Sequence, residues 1–254
     1  MSALAKLLLD DGHIVKGLDT ECDYYTKSSL YDIPIDNFEN YKLSKSYVYI
    51  IGNAYLNHYL SQQIRYLKFK CYSYPEFIVK YFNKYQFIAV AGSHGKTTTC
   101  KMLNKLLLDS SYIIGDGSGG GGNKDRIIVE ACEYKNTFLN YEPDISIVLN
   151  ADYDHPDYFK NKDEYVNSFK AFIDKSKLSI VNGDELDING SKIITFGIKK
   201  DNDVVFKYRV KNEMMEIIIF DSIFKLDFVG KHLAYDFVAA YIVARINGLS
   251  DDDI

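Results

Sequence analysis

Residues 86–100, QFIAVAGSHGKTTTC, constrain the fold more than any other stretch of the chain. A β-rich apolar run enters a glycine turn that delivers Lys96, Thr97 and Thr98 onto a helix. A strand that feeds a helix in this way builds an α/β sheet, and the turn between them is suited to phosphate. Gly92 and Gly95 let backbone amides approach an anion closely, and the helix start offers unpaired N–H groups. Lys96 adds positive charge, and the Thr97 hydroxyl can hold Mg2+. Ser93 and His94 complete the loop, with His94 expected as a spacer and not a base. The expected ligand is a nucleoside triphosphate. The loop departs from the longer glycine-rich pattern, whose first glycine would fall at Val90.

Two more apolar runs end on chemistry. RIIVEACEY ends on Glu130 and Glu133, and DISIVLNADYDHPDYF on Asn150, Asp152, Asp154 and His155. Ligands collect at the carboxyl ends of strands in an open parallel sheet, so Lys96, Glu130 and His155 are expected around one crevice. Carboxylate, hydroxyl and imidazole together suit magnesium bridging phosphate oxygens, which makes Thr97, Glu130 and His155 the candidate metal ligands. Glu133, Asp152 and Asp154 are expected to stand further out or in solvent.

Before residue 84 the chain alternates helix and strand: SALAKLLLDD, HIVKGLD, SYVYIIGN, LNHYLSQQIRYL, KFKCYSY and PEFIVKYFNKY. That alternation predicts a parallel sheet. After it come the strand and helix of the glycine turn, the two site-bearing strands, a helix through DEYVNSFKAFIDK, the strands LSIVN and KIITFG, a hairpin within residues 203–228 and a final helix, AYDFVAAYIVARI. The expected division is 1–84 and 85–254. GDGSGGGG, residues 115–122, is either a flexible surface loop or a lid facing substrate.

Charge and cysteine usage exclude some classes. Thirty basic against 35 acidic residues, with no Lys/Arg stripe, make nucleic acid a poor partner. Cys22, Cys71, Cys100 and Cys132 show no CxxC spacing, which suggests reduced thiols and a cytoplasmic protein. No apolar run approaches the roughly 18 residues of a membrane span.

GSHGKTTT, EACEYKNTFL and NADYDHPDYF, in this order and spacing, resemble the Mur ligases of peptidoglycan synthesis, and within them the UDP-N-acetylmuramate:L-alanine ligases of low-GC Gram-positive type. SALAKLLLDDGHIVKGLD, IGNAYLNHYL, YIIGDGSG and GKHLAYDFVAAYIVA extend the resemblance over almost the whole chain. The resemblance implies a Rossmann-like UDP-sugar-binding domain at 1–84 and an ATP-binding central domain at 85–254. It implies that the first is incomplete, starting after its opening strand and diphosphate-cradling turn, and that the C-terminal domain of the family is absent. It further implies acyl activation: ATP and Mg2+ phosphorylate the carboxylate of UDP-N-acetylmuramate, and L-alanine attacks the acyl phosphate. Lys96 would bind the β/γ-phosphates, Thr97 one magnesium, and Glu130 with His155 a second. His232 and Asp236 fall where the family contacts adenine, with Asp236 replacing an asparagine. Asp accepts hydrogen bonds there but cannot donate as an amide does. Asp19 is either a contact to ribose or uridine or a turn-forming residue, and Asn53 could also face the UDP-sugar. The alternative is a nucleotide-binding remnant with little or no turnover alone, or one chain of a pair whose missing domain lies on another polypeptide.

Overall fold

A computed structural model describes residues 1–20 and 30–254. Cys22, expected as a reduced thiol, lies outside the described residues. The first part of the chain forms α1 (Ser2–Asp10), β1 (Gly17–Asp19), β2 (Ile35–Asn37), β3 (Tyr49–Ile51), α2 (Tyr59–Tyr66), β4 (Cys71–Ser73) and α3 (Tyr74–Tyr81). Ser73 and Glu76 close a capping box at the start of α3, with Pro75 in its first turn, so the helix begins where its own residues satisfy the free amides.

Among the described residues of this part every strand pairing is parallel, as the alternation predicts, but the pairs form two sheets and not the expected one. β1 pairs with β2, and β3 with β4. A cavity of about 810 Å³ lies between them, lined by β1, β3 and the apolar face of α1. β2 was not expected: three residues ending Asp36-Asn37 carry no alternating pattern.

The rest of the chain builds one sheet of ten strands. Its elements are β5 (Gln86–Ala91), α4 (Lys96–Leu106), β6 (Ser110–Ile113), β7 (Gly119–Gly120), β8 (Asn123–Glu130), β9 (Ile145–Val148), α5 (Lys162–Lys175), β10 (Leu178–Asn182), β11 (Ile193–Gly197), β12 (Val204–Lys211), β13 (Met214–Ile219), β14 (Ser222–Leu226) and α6 (Lys231–Ile246). The order is β14-β13-β12-β11-β10-β9-β5-β8-β6-β7. The run from β6 to β12 is parallel. The expected hairpin is a three-stranded antiparallel meander, β12 to β14. Its first turn uses Asn212 and Glu213 with left-handed φ of 52° and 61°, the conformation of a tight two-residue hairpin.

Helices cover both faces. Ile88, Val90, Cys100, Leu103 and the buried side chains of α6 fill one side, and Leu4, Leu7, Ile78, Phe82, Ala89, Phe169 and Phe172 the other. α6 is apolar nearly all round because α4 and the sheet enclose it. The second core takes α1 and α3 from before residue 84 and β5, β8 and α5 from after it, so apolar packing runs across the expected boundary.

The glycine-rich stretch is neither a free loop nor a lid. Gly119 and Gly120 are buried and form an antiparallel edge with Ile113 and Tyr112. A side chain on Gly119 would strike the Ala3 carbonyl of α1, and one on Gly120 would come within 2.8 Å of the Tyr112 ring. Gly121 donates to Asp10 at 3.3 Å. The glycines are the surface on which α1 docks. Gly119→Ala is therefore expected to cost about 1–3 kcal/mol by overpacking, read as a lower denaturation midpoint with an unchanged slope.

Candidate active site

Register brings the site together. Val90 pairs with Glu130 and Ala91 with Val148, so the chain leaving β5, β8 and β9 emerges at one edge of the sheet. Gly92 and Gly95 have φ of 145° and 84°, which side chains disfavour. Space is short too: a Cβ on Gly92 would lie 3.1 Å from Leu149, and one on Gly95 would strike the Asp236 carboxylate.

Neighbouring side chains fix the loop between these glycines. Asn150 accepts from the His94 amide at 2.9 Å and donates to the His94 carbonyl at 3.1 Å. Ser93 donates to the Asp152 carbonyl at 2.6 Å and meets Tyr165 Oη at 2.8 Å. The Ser93 hydroxyl thus anchors the loop, and the His94 ring is exposed, 4.0 Å from Asp152. Lys96 folds back over the loop, donating to the Gly92 carbonyl and to the Ser93 carbonyl at 3.4 Å.

Thr97 and Glu130 are in direct contact. The Thr97 hydroxyl donates to Glu130 Oε2 at 2.9 Å, and the Gly115 amide donates to the same oxygen at 2.8 Å. The glycine-rich run therefore begins by orienting Glu130, a role not read from the sequence. A Cβ on Gly115 would stand 2.5 Å from Glu130 Oε1, which explains the glycine.

His155 pairs differently from the expectation. Its Nε2 lies 3.7 Å from Glu133 Oε1 and 3.9 Å from Asp154 Oδ2, and its ring packs on Tyr134 with centroids 4.7 Å apart. Glu133, expected in the outer shell or solvent, is 2% exposed and 3.2 Å from the Lys96 ammonium. The turn after β8 folds it inward, so tertiary packing overrides its polarity. Among the described residues no three acidic, His or Cys side chains stand together as a ready metal cluster. The donors still fit magnesium: Thr97 and Glu130 are hard oxygens in contact, and Glu133 Oε2 is buried without a hydrogen bond.

His232 and Asp236 sit on α6, one turn apart. His232 is exposed, whereas Asp236 is 4% exposed and lies beneath Gly95. Burial pushes the Asp236 carboxyl up to about 7, against the lowering effect of the nearby Thr99 hydroxyl. The sign follows. The unfolded chain releases this proton near pH 4 and the folded chain near 7, so stability falls across that window and levels off above it. Asp236→Asn removes the charge, and its stability in urea is expected to match the parent at pH 4 and exceed it at pH 8.

Asp19 accepts from Tyr55 Oη and from the Thr20 amide, both at 2.8 Å, and lines the cavity between β1 and β3. Asn53 donates to Thr137 Oγ1 at 3.2 Å, joining the first part of the chain to the turn that follows Glu133.

The fold is that of several solved ligases. UDP-N-acetylmuramate:L-alanyl-gamma-D-glutamyl-meso-diaminopimelate ligase from Neisseria meningitides is 22% identical, with a TM-score of 0.81 over 99% of this chain and 91% of that one. UDP-N-acetylmuramate-alanine ligase from Thermotoga maritima is 20% identical, with a TM-score of 0.75 over 98% of this chain and 63% of that one. A murein peptide ligase from Psychrobacter arcticus is 20% identical, with a TM-score of 0.74 over 99% of this chain and 64% of that one. This chain therefore spans less than two thirds of the latter two. At these identities the likeness speaks for the fold. No helix among the described residues is long and apolar enough to cross a membrane. The stretch that supplies Glu130, Glu133, His155 and Asp236, residues 121–244, matches the Mur ligase middle domain, and the three structures that share the fold are Mur ligases.

Proposed function

We propose that the chain is an ATP-dependent ligase of peptidoglycan precursor synthesis in the cytoplasm, joining L-alanine to UDP-N-acetylmuramate. We assign residues 1–84 to the UDP-sugar and 85–254 to ATP. The observation that carries this reading is the set Lys96, Thr97, Glu130 and Glu133 at one sheet edge, with glycines that admit backbone to an anion.

In this reading the amides at the start of α4 and Lys96 hold the β- and γ-phosphates. Thr97, Glu130 and His155 would hold Mg2+ beside the carboxylate of the sugar nucleotide, where it would neutralise phosphate charge. A carboxylate oxygen of UDP-N-acetylmuramate attacks the γ-phosphorus as the bond to ADP breaks. The amine nitrogen then attacks the acyl carbon, phosphate leaves with the electron pair of the C–O bond, and the amine loses a proton to solvent. Positioning supplies most of the rate in such transfers. His232 belongs to the rim near the adenine, and Asp236 acts from beneath the loop.

The split of the first sheet and its 810 Å³ cavity favour a second reading, a nucleotide-binding chain that a separate polypeptide completes. Both readings meet in one experiment. Purified protein receives ATP, Mg2+, UDP-N-acetylmuramate and either L-alanine or the tripeptide in the Neisseria relative's name, and ADP and amide products are followed by mass spectrometry. Amide from alanine supports the ligase reading, amide from the tripeptide alone would reassign the acceptor, and nucleotide binding without product supports the second reading.

A further inference from the structure

Glu133 is the polar group of the site that neither the phosphate loop nor the Thr97–Glu130 pair explains. A buried carboxylate is costly unless it is paired. Three residues after Glu130 the chain is leaving β8, and it turns through Lys135 and Asn136 with left-handed φ of 53° and 55°. That turn carries Glu133 between two loops. Its Oε1 lies 3.3 Å from Lys96 Nζ and 3.7 Å from His155 Nε2. Its Oε2 lies 3.2 Å from the same ammonium but makes no hydrogen bond. His155 is itself held in a left-handed conformation, φ 56°, which persists only where its surroundings fix it.

Resting on the reading of this site as a magnesium–nucleotide site, we propose that Glu133 is a positioning residue, which aims Lys96 and holds His155 with its proton on Nε2, leaving Nδ1 as the nitrogen offered to a cation. A neutral imidazole carries its proton where negative charge faces it. Two carboxylates face Nε2, Glu133 at 3.7 Å and Asp154 at 3.9 Å. The Asp154 side chain is 52% exposed and screened by water, whereas that of Glu133 is 2% exposed and acts through a medium of low dielectric. Metal-binding histidines donate their other ring N–H to such a partner, and losing it typically costs about ten- to 100-fold in metal affinity. One carboxylate shared by an ammonium and an imidazole also accounts for its burial.

Glu133→Gln keeps the shape and removes the charge. Long-range 1H–15N spectra of the free protein, recorded at about pH 8.5, roughly two units above the ordinary imidazole value, report the tautomer of each histidine. His155→Ala assigns the resonance. The parent is expected to show the Nε2–H form at His155 and the Gln variant a mixture with Nδ1–H. Should the Gln variant fail to fold, Glu133→Asp, which keeps a carboxylate, is expected to retain the parental tautomer. A parental His155 protonated on Nδ1, or one tautomer in both parent and Gln variant, would overturn the proposal. Manganese(II) titrated into protein loaded with a non-hydrolysable ATP analogue gives a second readout. Its affinity should fall about ten- to 100-fold in Glu133→Gln, with no further fall when that change is added to His155→Ala. Equal affinity in parent and Gln variant would contradict the proposal. Absence of manganese binding in the parent would overturn the metal reading instead, and the tautomer would still decide the role of Glu133.

Discussion

Lys96→Ala is expected to weaken magnesium–ATP binding about ten- to 150-fold, because the ammonium–phosphate contact is a charge-assisted hydrogen bond worth roughly 1.5–3 kcal/mol. Titration calorimetry reads this directly. The same change has a second effect that the sequence did not announce. Lys96 is the cation against Glu133, so its loss leaves a carboxylate 2% exposed with no ammonium beside it. Removing one member of a buried pair commonly costs about 3–5 kcal/mol. The melting temperature of Lys96→Ala should therefore drop, and adding Glu133→Gln should recover much of the stability without recovering affinity. Equal ATP affinity in parent and Lys96→Ala would show that the loop does not hold phosphate.

The second large effect is expected at Glu130. Glu130→Ala removes the acceptor of both the Thr97 hydroxyl and the Gly115 amide, and magnesium affinity in the presence of nucleotide should fall at least about ten-fold. The fold should survive, since Glu130 stands at the end of β8 and not within either apolar core. His155→Ala should act on the same ion through a different contact. In a double-mutant cycle the two losses should then be markedly non-additive, and additive losses would argue against a shared cation. Gly115→Ala offers a milder route to the same end, because its Cβ would press on the Glu130 carboxylate at 2.5 Å.

The parts of this site that a single segment encodes were legible in the sequence. The proposed phosphate loop rests on glycine, lysine and threonine in contiguous order, which residues 92–97 display. The parallel run of the large sheet followed from strands alternating with helices, and the carboxyl ends of β8 and β9 pointed to Glu130 and His155 as candidates. What escaped depends on tertiary packing. Glu133 was expected further out or in solvent because burial of a charge is decided by partners distant in sequence, here Lys96 and His155. The anchoring of the loop by Asn150 and Tyr165 is invisible for the same reason. β2 and β7 are three and two residues long, too short for any period to register. The glycine-rich run was read as loop or lid because glycine composition suggests freedom, whereas here the missing side chains make room for α1. Asp236 marked a position on α6, but only the structure puts its carboxylate under Gly95.

The most direct test of the account is a crystal structure of the chain with Mg2+ and a non-hydrolysable ATP analogue. The expected result is a triphosphate on the amides that open α4, with Lys96 Nζ on its β- and γ-oxygens and a cation between the γ-phosphate and the oxygens of Thr97 and Glu130. An analogue bound in the cavity between β1 and β3, or bound elsewhere with the 92–97 loop untouched, would contradict it.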